Sequence, residues 1–580
     1  MSKTVAQHLI DLMVDSGVRN VYGVVGDSAN PIVDGIRRTD GRLRWIAVRH
    51  EEAGAFAAGA EAQVTGRPAA VVGSSGPGSL HLLNGLYDCQ RNAAPVFAIA
   101  THIPSTELGT RSFQDTRPEL IFADCTYFCQ FVSSPAQMPR IAEVAMQSAI
   151  LEHGVGMVIV PGDIAGKKVE EPLLAHPIAE ERALARPPET ALARAAKLVA
   201  EAERIVIFGG DGCRGARAEV LELAELLQAP VAYTYRGKDV LEADNPNGVG
   251  MTGLLGWGGA TAALGSCDLL LMLGTDFPYR HFLPDDATIV QVDERPDHLG
   301  RRAKLDLGLV GDVGETLRAL RPHLQARLDR TFLDQILDRH RVAFEKAHAY
   351  VNHPGTGHGL RPELVAHAIG DLAAPGAIFT VDTGMCNIWG ARYLHMRPGQ
   401  RLLASFGHGS MANAMPQAIG AQLAAPNRQV VALCGDGGLT MLMGELLTVA
   451  ALQLPIKLMV FDNSTLGLVR IEMQAAGYPP FGTDLQNPDF AELARVVGLH
   501  GERVEQPDDI HPAIERAFAH DGPALIDFVT DPRALALPPK TDLSQVEGFA
   551  LAATKLVFGG DSSELLETIK SNIRTVRKPA

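Results

Sequence analysis

Apolar residues recur along this chain in two alternating rhythms. Val5, Leu9, Leu12 and Met13 fall on one helical face, and Thr4-x-x-Gln7 has the spacing of a capping box that would start that helix. Asp15-Ser16-Gly17 closes it, and residues 21–26 then read as a short buried strand. Apolar runs at 45–48, 69–72, 96–100 and 157–160 predict further strands, with helical stripes between them. Strands apolar on both faces, alternating with helices, predict a parallel sheet covered on both sides.

The alternation is interrupted twice. Ala185-Arg186-Pro187-Pro188-Glu189-Thr190 reads as a linker. A second block follows, with strands at 205–208, 231–234, 269–273 and 288–292, and it fades through a charged helical stretch at 320–350. Asn352-His353-Pro354-Gly355-Thr356-Gly357 reads as a second linker. The third block, to about residue 530, has strands at 378–381, 430–433, 457–461 and 525–529. The expected fold class is α/β, with three doubly wound parallel-sheet domains at 1–183, 184–335 and 336–530, then a C-terminal helical tail at 531–580. Blocks one and three look duplicated. Gly59-Ala60 precedes Gly76 by 17 positions, and Gly420-Ala421 precedes Gly437 by the same 17. Two similar lobes would leave a cleft between them.

Composition narrows the class. The 580 residues predict about three to five domains. Hydrophobic residues at 46% and charged residues at 21% exclude a largely disordered chain. A net charge of −15 argues against a duplex nucleic-acid binder. No apolar run approaches the roughly 18–20 residues of a membrane span, and no signal-peptide core is expected. Seven scattered cysteines form no C-x-x-C pair, so a reduced, cytoplasmic setting is expected.

The most informative segment is Cys434-Gly435-Asp436-Gly437-Gly438, directly after a strand. Its glycines let the backbone approach a phosphate, and the following helix N-terminus offers unpaired N–H groups. An aspartate there repels phosphate unless a divalent cation lies between them, and Mg²⁺ takes a carboxylate, neutral oxygens and phosphate oxygens. A second oxygen ligand is expected after the next strand. Asp462-Asn463-Ser464 stands there, with 25 residues between Gly437 and Asn463.

This pairing resembles the diphosphate-binding motif of thiamine-diphosphate enzymes. The resemblance implies Mg²⁺ ligation by Asp436, Asn463 and Thr465, and diphosphate contacts along Gly437, Gly438, Ser464, Leu466 and Gly467. It also implies a carboxylate from the other lobe that hydrogen-bonds the aminopyrimidine. His50-Glu51-Glu52-Ala53-Gly54-Ala55 stands at the expected strand-to-helix junction, and Glu51 is assigned that part. Glu52 reads as an acidic first-turn residue favoured by the helix dipole. The loop and helix at 75–86, including Gly76 and His81, look like those of the pyruvate oxidase branch, and Phe113-Gln114 resembles its active-site pair. The segment at 405–416 is similar to the cofactor-wrapping segment of the bacterial quinone-reducing members. There Met411 would prop the cofactor into its bent form, with backbone at Gly409 and Ser410 touching the pyrimidine. Leu468, Val469 and Glu472 lie where the family lines its substrate pocket, although Leu468 replaces an expected aromatic residue and Asp462 an expected Asn. In block two, Met251, Thr252, Gly253, Leu254, Gly274, Thr275, Asp276, Phe277, Pro278 and Asp293 resemble the flavin-binding middle domain of the same oxidases. Asp293 ends a strand, where such a domain often holds a ribose hydroxyl.

The resemblance implies an FAD-, thiamine-diphosphate- and Mg²⁺-dependent oxidation of pyruvate to acetate and CO₂. Electrons would pass to a membrane quinone, and the protein would be a homotetramer with sites between subunits. The alternatives are an acetolactate-synthase-type carboligase with a non-redox flavin, an oxidase using O₂ and phosphate, and a nucleotide-binding regulatory protein without catalysis. In the tail, Asp561-x-x-Glu564 precedes Leu565, Leu566, Ile569, Ile573 and Val576 on one helical face, beside Lys570, Arg574, Arg577 and Lys578. That pattern fits a helix lying in an anionic lipid surface, which predicts a protein attached peripherally to the inner face of the cell membrane.

Overall fold

A computed structural model describes residues 3–169, 183–352 and 359–534. The amphipathic pattern at 561–578 and most of the second linker therefore lie outside the described residues. Three separate sheets are present, of six, seven and six strands. Every pairing in the first and third is parallel. In the central sheet only the edge strand Trp257–Gly258 runs antiparallel, against Gly248–Met251. The apolar runs behave as expected: Ala69–Gly73, Val96–His102 and Val155–Pro161 are buried throughout, as strands with helices on both faces must be.

The first and third sheets share one strand order. Counting each sheet's strands in chain order, both run second, first, third, fourth, sixth, fifth. The expected duplication is thus visible in topology. The two lobes pack through the helices Glu51–Thr65 and Ala414–Ala424, both rich in Ala and Gly and buried along most of their length. A Cβ on Gly420 would overlap the Ala57 carbonyl, so these helices meet backbone to backbone. One hydrophobic core spans both lobes, from Tyr22 and Ala57 to Val430 and Leu458.

The capping box closes as expected. Gln7 N–H donates to Thr4 Oγ1 at 3.2 Å, and Thr4 N–H donates to Gln7 Oε1 at 2.9 Å. The strand expected at 21–26 is shorter, Asn20–Gly23, because its partner Arg44–Ala47 ends in register with Gly23. Pattern reading misses Phe128–Phe131, Leu307–Val310, Arg401–Ala404 and His500–Val504, each at the edge of its sheet, and also the inner strand Gly248–Met251, whose two glycines break the apolar run. Edge strands pair on one side only, so they need no continuous apolar run. The boundary expected at 335–336 falls inside a continuous helix, Thr331–Val351, which packs on the central sheet and reaches the helix Pro362–Leu372. No described helix is long and apolar enough to cross a membrane.

Candidate active site

Glu51 is the first residue of the helix Glu51–Thr65 and is buried. His50 caps that helix, its Nδ1 accepting from Glu52 N–H at 3.2 Å, which fixes where Glu51 points. His81 Nδ1 lies 3.0 Å from Glu51 Oε2, and the His50 and His81 rings stack at 4.3 Å. The other carboxyl oxygen, Oε1, lies against Gly78. Ser75 Oγ donates to Gln114 Oε1 at 2.6 Å, so Gln114 joins the Gly76 loop, whereas Phe113 is 87% exposed on the single chain. Asn84 ties this lobe to the third: its Nδ2 donates to Glu52 Oε1 at 2.7 Å and to Ser410 Oγ at 2.9 Å. Glu445 does the same from the other side, accepting the backbone N–H groups of Arg49 and His50 at 2.9 Å. Glu445 carries no motif, and Asn84 belongs to the 75–86 segment without being singled out as a site residue.

Asp436 opens the helix Asp436–Met441 after the strand Val430–Gly435. Its Oδ1 accepts from Gly437 N–H at 2.8 Å. Asn487 Nδ2 donates both to Asp436 Oδ2 at 2.8 Å and to Asp462 Oδ1 at 2.7 Å. Sequence reading places Asp462 outside the ligand set, yet its carboxylate shares this amide with Asp436. Burial pushes the Asp436 carboxyl up to about 7, although Gly437 N–H and the Asn487 amide favour the anion, and the nearby Asp462 charge adds to the rise. Asp382, also buried, rises to about 7 for the same first reason. A Cβ on Gly438 would fall inside the Asp382 carboxylate, so Gly438 is where that side chain meets the helix start. Two buried acids at the ends of two neighbouring strands could serve as a low-dielectric acceptor for a divalent cation.

The neighbouring loop is well fixed. Thr465 N–H donates to Asn463 Oδ1 at 3.1 Å, Thr465 Oγ1 to the Thr483 carbonyl at 3.1 Å, and Leu466 N–H to the same carbonyl at 2.8 Å. Ser464 takes a φ of 54°. The half-buried Met411 lies beside Gly437, its Cε 3.4 Å from where a Cβ at 437 would stand. Gly467 opens the helix Gly467–Ala475, which carries Leu468, Val469 and Glu472, with Val469 43% exposed.

A cleft of about 1170 Å³ lies between the central lobe and the other two, with Gln90, Arg91 and Tyr127 of the first lobe among its lining residues. All ten central-lobe positions singled out from sequence line it: Met251, Thr252, Gly253, Leu254, Gly274, Thr275, Asp276, Phe277, Pro278 and Asp293. Gly409, Leu468 and Glu472 line the opposite wall, and Glu51, Asp436 and Asn463 do not line it. Arg236, Arg295, Arg301 and Arg302 also face this cleft, and no sequence pattern identifies them. Arg301 and Arg302 pair with Asp276 at 2.9 and 3.1 Å, and His298 Nδ1 lies 3.3 Å from Asp293 Oδ1. Although burial works against ionisation, Arg236 and Arg214 hold the Asp211 carboxyl below its ordinary range. The result is a cleft of nucleotide size whose lining mixes arginines with carboxylates, among them Asp211, Asp276, Asp293, Asp297 and Asp312.

Comparison with known proteins matches three family descriptions along the chain. They are the thiamine pyrophosphate enzyme N-terminal TPP binding domain at residues 3–120, its central domain at 192–320, and its C-terminal TPP binding domain at 382–528. Bacillus subtilis (strain 168) YdaP, named provisionally for thiamine pyrophosphate, is 34% identical over 98% of this chain and 99% of its own. Pyruvate oxidase of Lactiplantibacillus plantarum (strain ATCC BAA-793 / NCIMB 8826 / WCFS1) is 30% identical over 88% of this chain and 86% of its own. The acetolactate synthase isozyme 2 large subunit of Escherichia coli (strain K12) is 30% identical over 91% and 95%.

Proposed function

The chain belongs to the thiamine pyrophosphate enzyme family, and from that premise we propose that it is a pyruvate:quinone oxidoreductase. The overall reaction is pyruvate, water and quinone to acetate, CO₂ and quinol, in which two electrons leave the substrate carbon and reduce the quinone. Bound thiamine diphosphate supplies the electron sink for loss of CO₂, and bound FAD supplies a two-electron acceptor.

The residues present fit these groups. Asp436, Asn463 and Thr465 would hold Mg²⁺, and the buried carboxylates of Asp436 and Asp462 favour a cation there. The ten central-lobe residues singled out above would hold the FAD, and the cleft's arginines would be available to a phosphate-bearing group. Glu51, steadied through Oε2 by His81, would hold and move a proton at its carboxyl group. Met411 and Gly409 would orient the bound diphosphate cofactor, and Gln114, Phe113, Val469 and Glu472 would shape the pocket for pyruvate.

One observation carries the oxidase reading: the candidate flavin loops and the candidate substrate-pocket residues Leu468 and Glu472 line the two walls of one cleft. Such a shared cleft would hold a substrate close to a redox cofactor. The second reading, a carboligase, is supported by a synthase relative as similar as the oxidase relative. The membrane part of the proposal rests on the apolar stripe and basic end at 565–578.

The test is to supply pyruvate, thiamine diphosphate, Mg²⁺ and FAD and to quantify acetate, acetolactate, CO₂ and flavin reoxidation by ferricyanide, a quinone analogue and O₂. The proposal expects acetate with stoichiometric quinone reduction. Acetolactate as the main product replaces it with the carboligase, and acetyl phosphate formed with O₂ replaces it with the phosphate-dependent oxidase.

A further inference from the structure

Away from the active site, three histidines from three consecutive segments converge. His348 lies in the last turn of the helix Thr331–Val351, His367 on the helix Pro362–Leu372, and His395 just after the helix Met385–Tyr393. One ring nitrogen from each lies within 4.8 Å of the other two. His367 Nδ1 is buried without a hydrogen-bond partner. Its other nitrogen, Nε2, lies 3.2 Å from Asp371 Oδ2. His395 Nδ1 lies 3.8 Å from Glu242 Oε1, and Glu242 Oε2 is held by the buried Lys238 at 2.6 Å. Phe344 stacks on the His348 ring at 5.4 Å and packs on His395 at 5.2 Å, which restricts how these rings turn.

We propose that His348, His367 and His395 form a binding site for a transition-metal dication of the zinc class, with water in the fourth position. Imidazole nitrogen is the donor that zinc, cobalt and nickel share, and three protein nitrogens with one open position is a recurrent zinc geometry. Two of the three rings have a carboxylate beside one nitrogen, Asp371 at His367 Nε2 and Glu242 at His395 Nδ1, and a carboxylate so placed raises donor strength in metal-bound histidines when the other nitrogen ligates. The C-terminal end of the helix bearing His348 also favours a cation. Zinc–nitrogen bonds of about 2.0–2.1 Å require nitrogens roughly 3.3 Å apart, so nitrogens within 4.8 Å of one another would close by at most about 1.5 Å on binding. The ion would clip the helix packed on the central lobe to two elements of the third lobe, setting the width of the cleft between them.

The test uses full-length holoenzyme stripped of trace metal and saturated with Mg²⁺ and thiamine diphosphate, so that the Asp436 loop is already filled. Titration with Co²⁺ is expected to give one equivalent with intense tetrahedral ligand-field bands, displaced by Zn²⁺, and a raised thermal midpoint. His348→Gln, His367→Gln and His395→Gln should each weaken Co²⁺ binding about tenfold or more. His323→Gln, at a surface histidine paired with Glu189, should leave it unchanged. Equal binding in wild type and the His367→Gln/His395→Gln double variant overturns the site. Weak octahedral bands in the wild-type titration overturn it as well, and that measurement needs no variant to fold.

Discussion

Replacing Glu51 by Gln separates proton transfer from every other service that residue performs. The side chain keeps its volume, and its amide oxygen can keep the 3.0 Å contact with His81 Nδ1. What disappears is a group that takes up and releases a proton. Loss of a positioned acid–base group costs about 10²-fold or more in rate. At 1.36 kcal/mol per tenfold, that is about 2.7 kcal/mol or more of transition-state stabilisation. The effect on folding is smaller. Glu51 opens its helix, where a carboxylate contributes about 0.3–1 kcal/mol, and Glu52 in the same turn keeps its charge. Rate and stability should therefore part company. The assay is CO₂ release from pyruvate at saturating thiamine diphosphate and Mg²⁺, beside calorimetric cofactor affinity and thermal unfolding. We expect kcat and kcat/KM to fall together, with affinity nearly unchanged and the unfolding midpoint moved by a few degrees. Near-normal turnover would refute the reasoning, and so would loss of cofactor binding equal to the loss of rate.

Three further outcomes follow from other parts of the molecule. Asp436→Ala and Asn463→Ala should each weaken thiamine diphosphate and Mg²⁺ together while FAD stays bound, as dialysis and absorbance will read; loss of the flavin from a folded variant would contradict the division of sites. Asp88 lies fully buried between the lobes, accepting from Asn92 and from Gln417 at 3.1 and 3.2 Å, and burial raises its carboxyl from 3.8 to about 6. A raised acid pKa adds stability in full below about 4, and that contribution fades as pH climbs through about 6. The stability advantage of wild type over Asp88→Asn in urea should thus shrink by up to about 3 kcal/mol between pH 4 and 7, and parallel profiles would reject this. Truncation after Pro539 should leave pyruvate-to-ferricyanide activity largely intact but abolish binding to anionic liposomes, and a full-length chain that ignores such liposomes ends the membrane proposal.

The fold was legible where burial is two-sided. Inner strands such as Leu269–Leu273 are apolar throughout, so they announce themselves, whereas an edge strand such as Leu307–Val310 alternates buried with exposed residues and does not. The Asp436–Asn463 pair was legible because a strand-end loop and its neighbour one helix later have a fixed spacing. Asn487 was not. It reaches the two carboxylates from a loop whose position depends on long-range packing, and a lone Asn before Pro488 reads as a turn. The arginines facing the cleft were hidden for a related reason: an arginine's reach is long, and only the folded chain tells which of many surface cations turn inward. The three clustered histidines, 19 and 28 residues apart, share no motif and meet only because a helix crosses from one lobe to the next.

The meeting of Gly420 with the Ala57 carbonyl acts as a ruler. Where two helices touch through side chains, a larger residue on one can be offset by a smaller one on the other, and the spacing drifts as sequences diverge. Here main chain rests on main chain, so no substitution can bring the helices closer and any side chain at 420 must push them apart. Glu51 begins one of these helices and the Ser410–Met411 segment leads into the other. The spacing of the first and third lobes within one chain is therefore set by the van der Waals radii of main-chain atoms, insulated from changes elsewhere in either lobe.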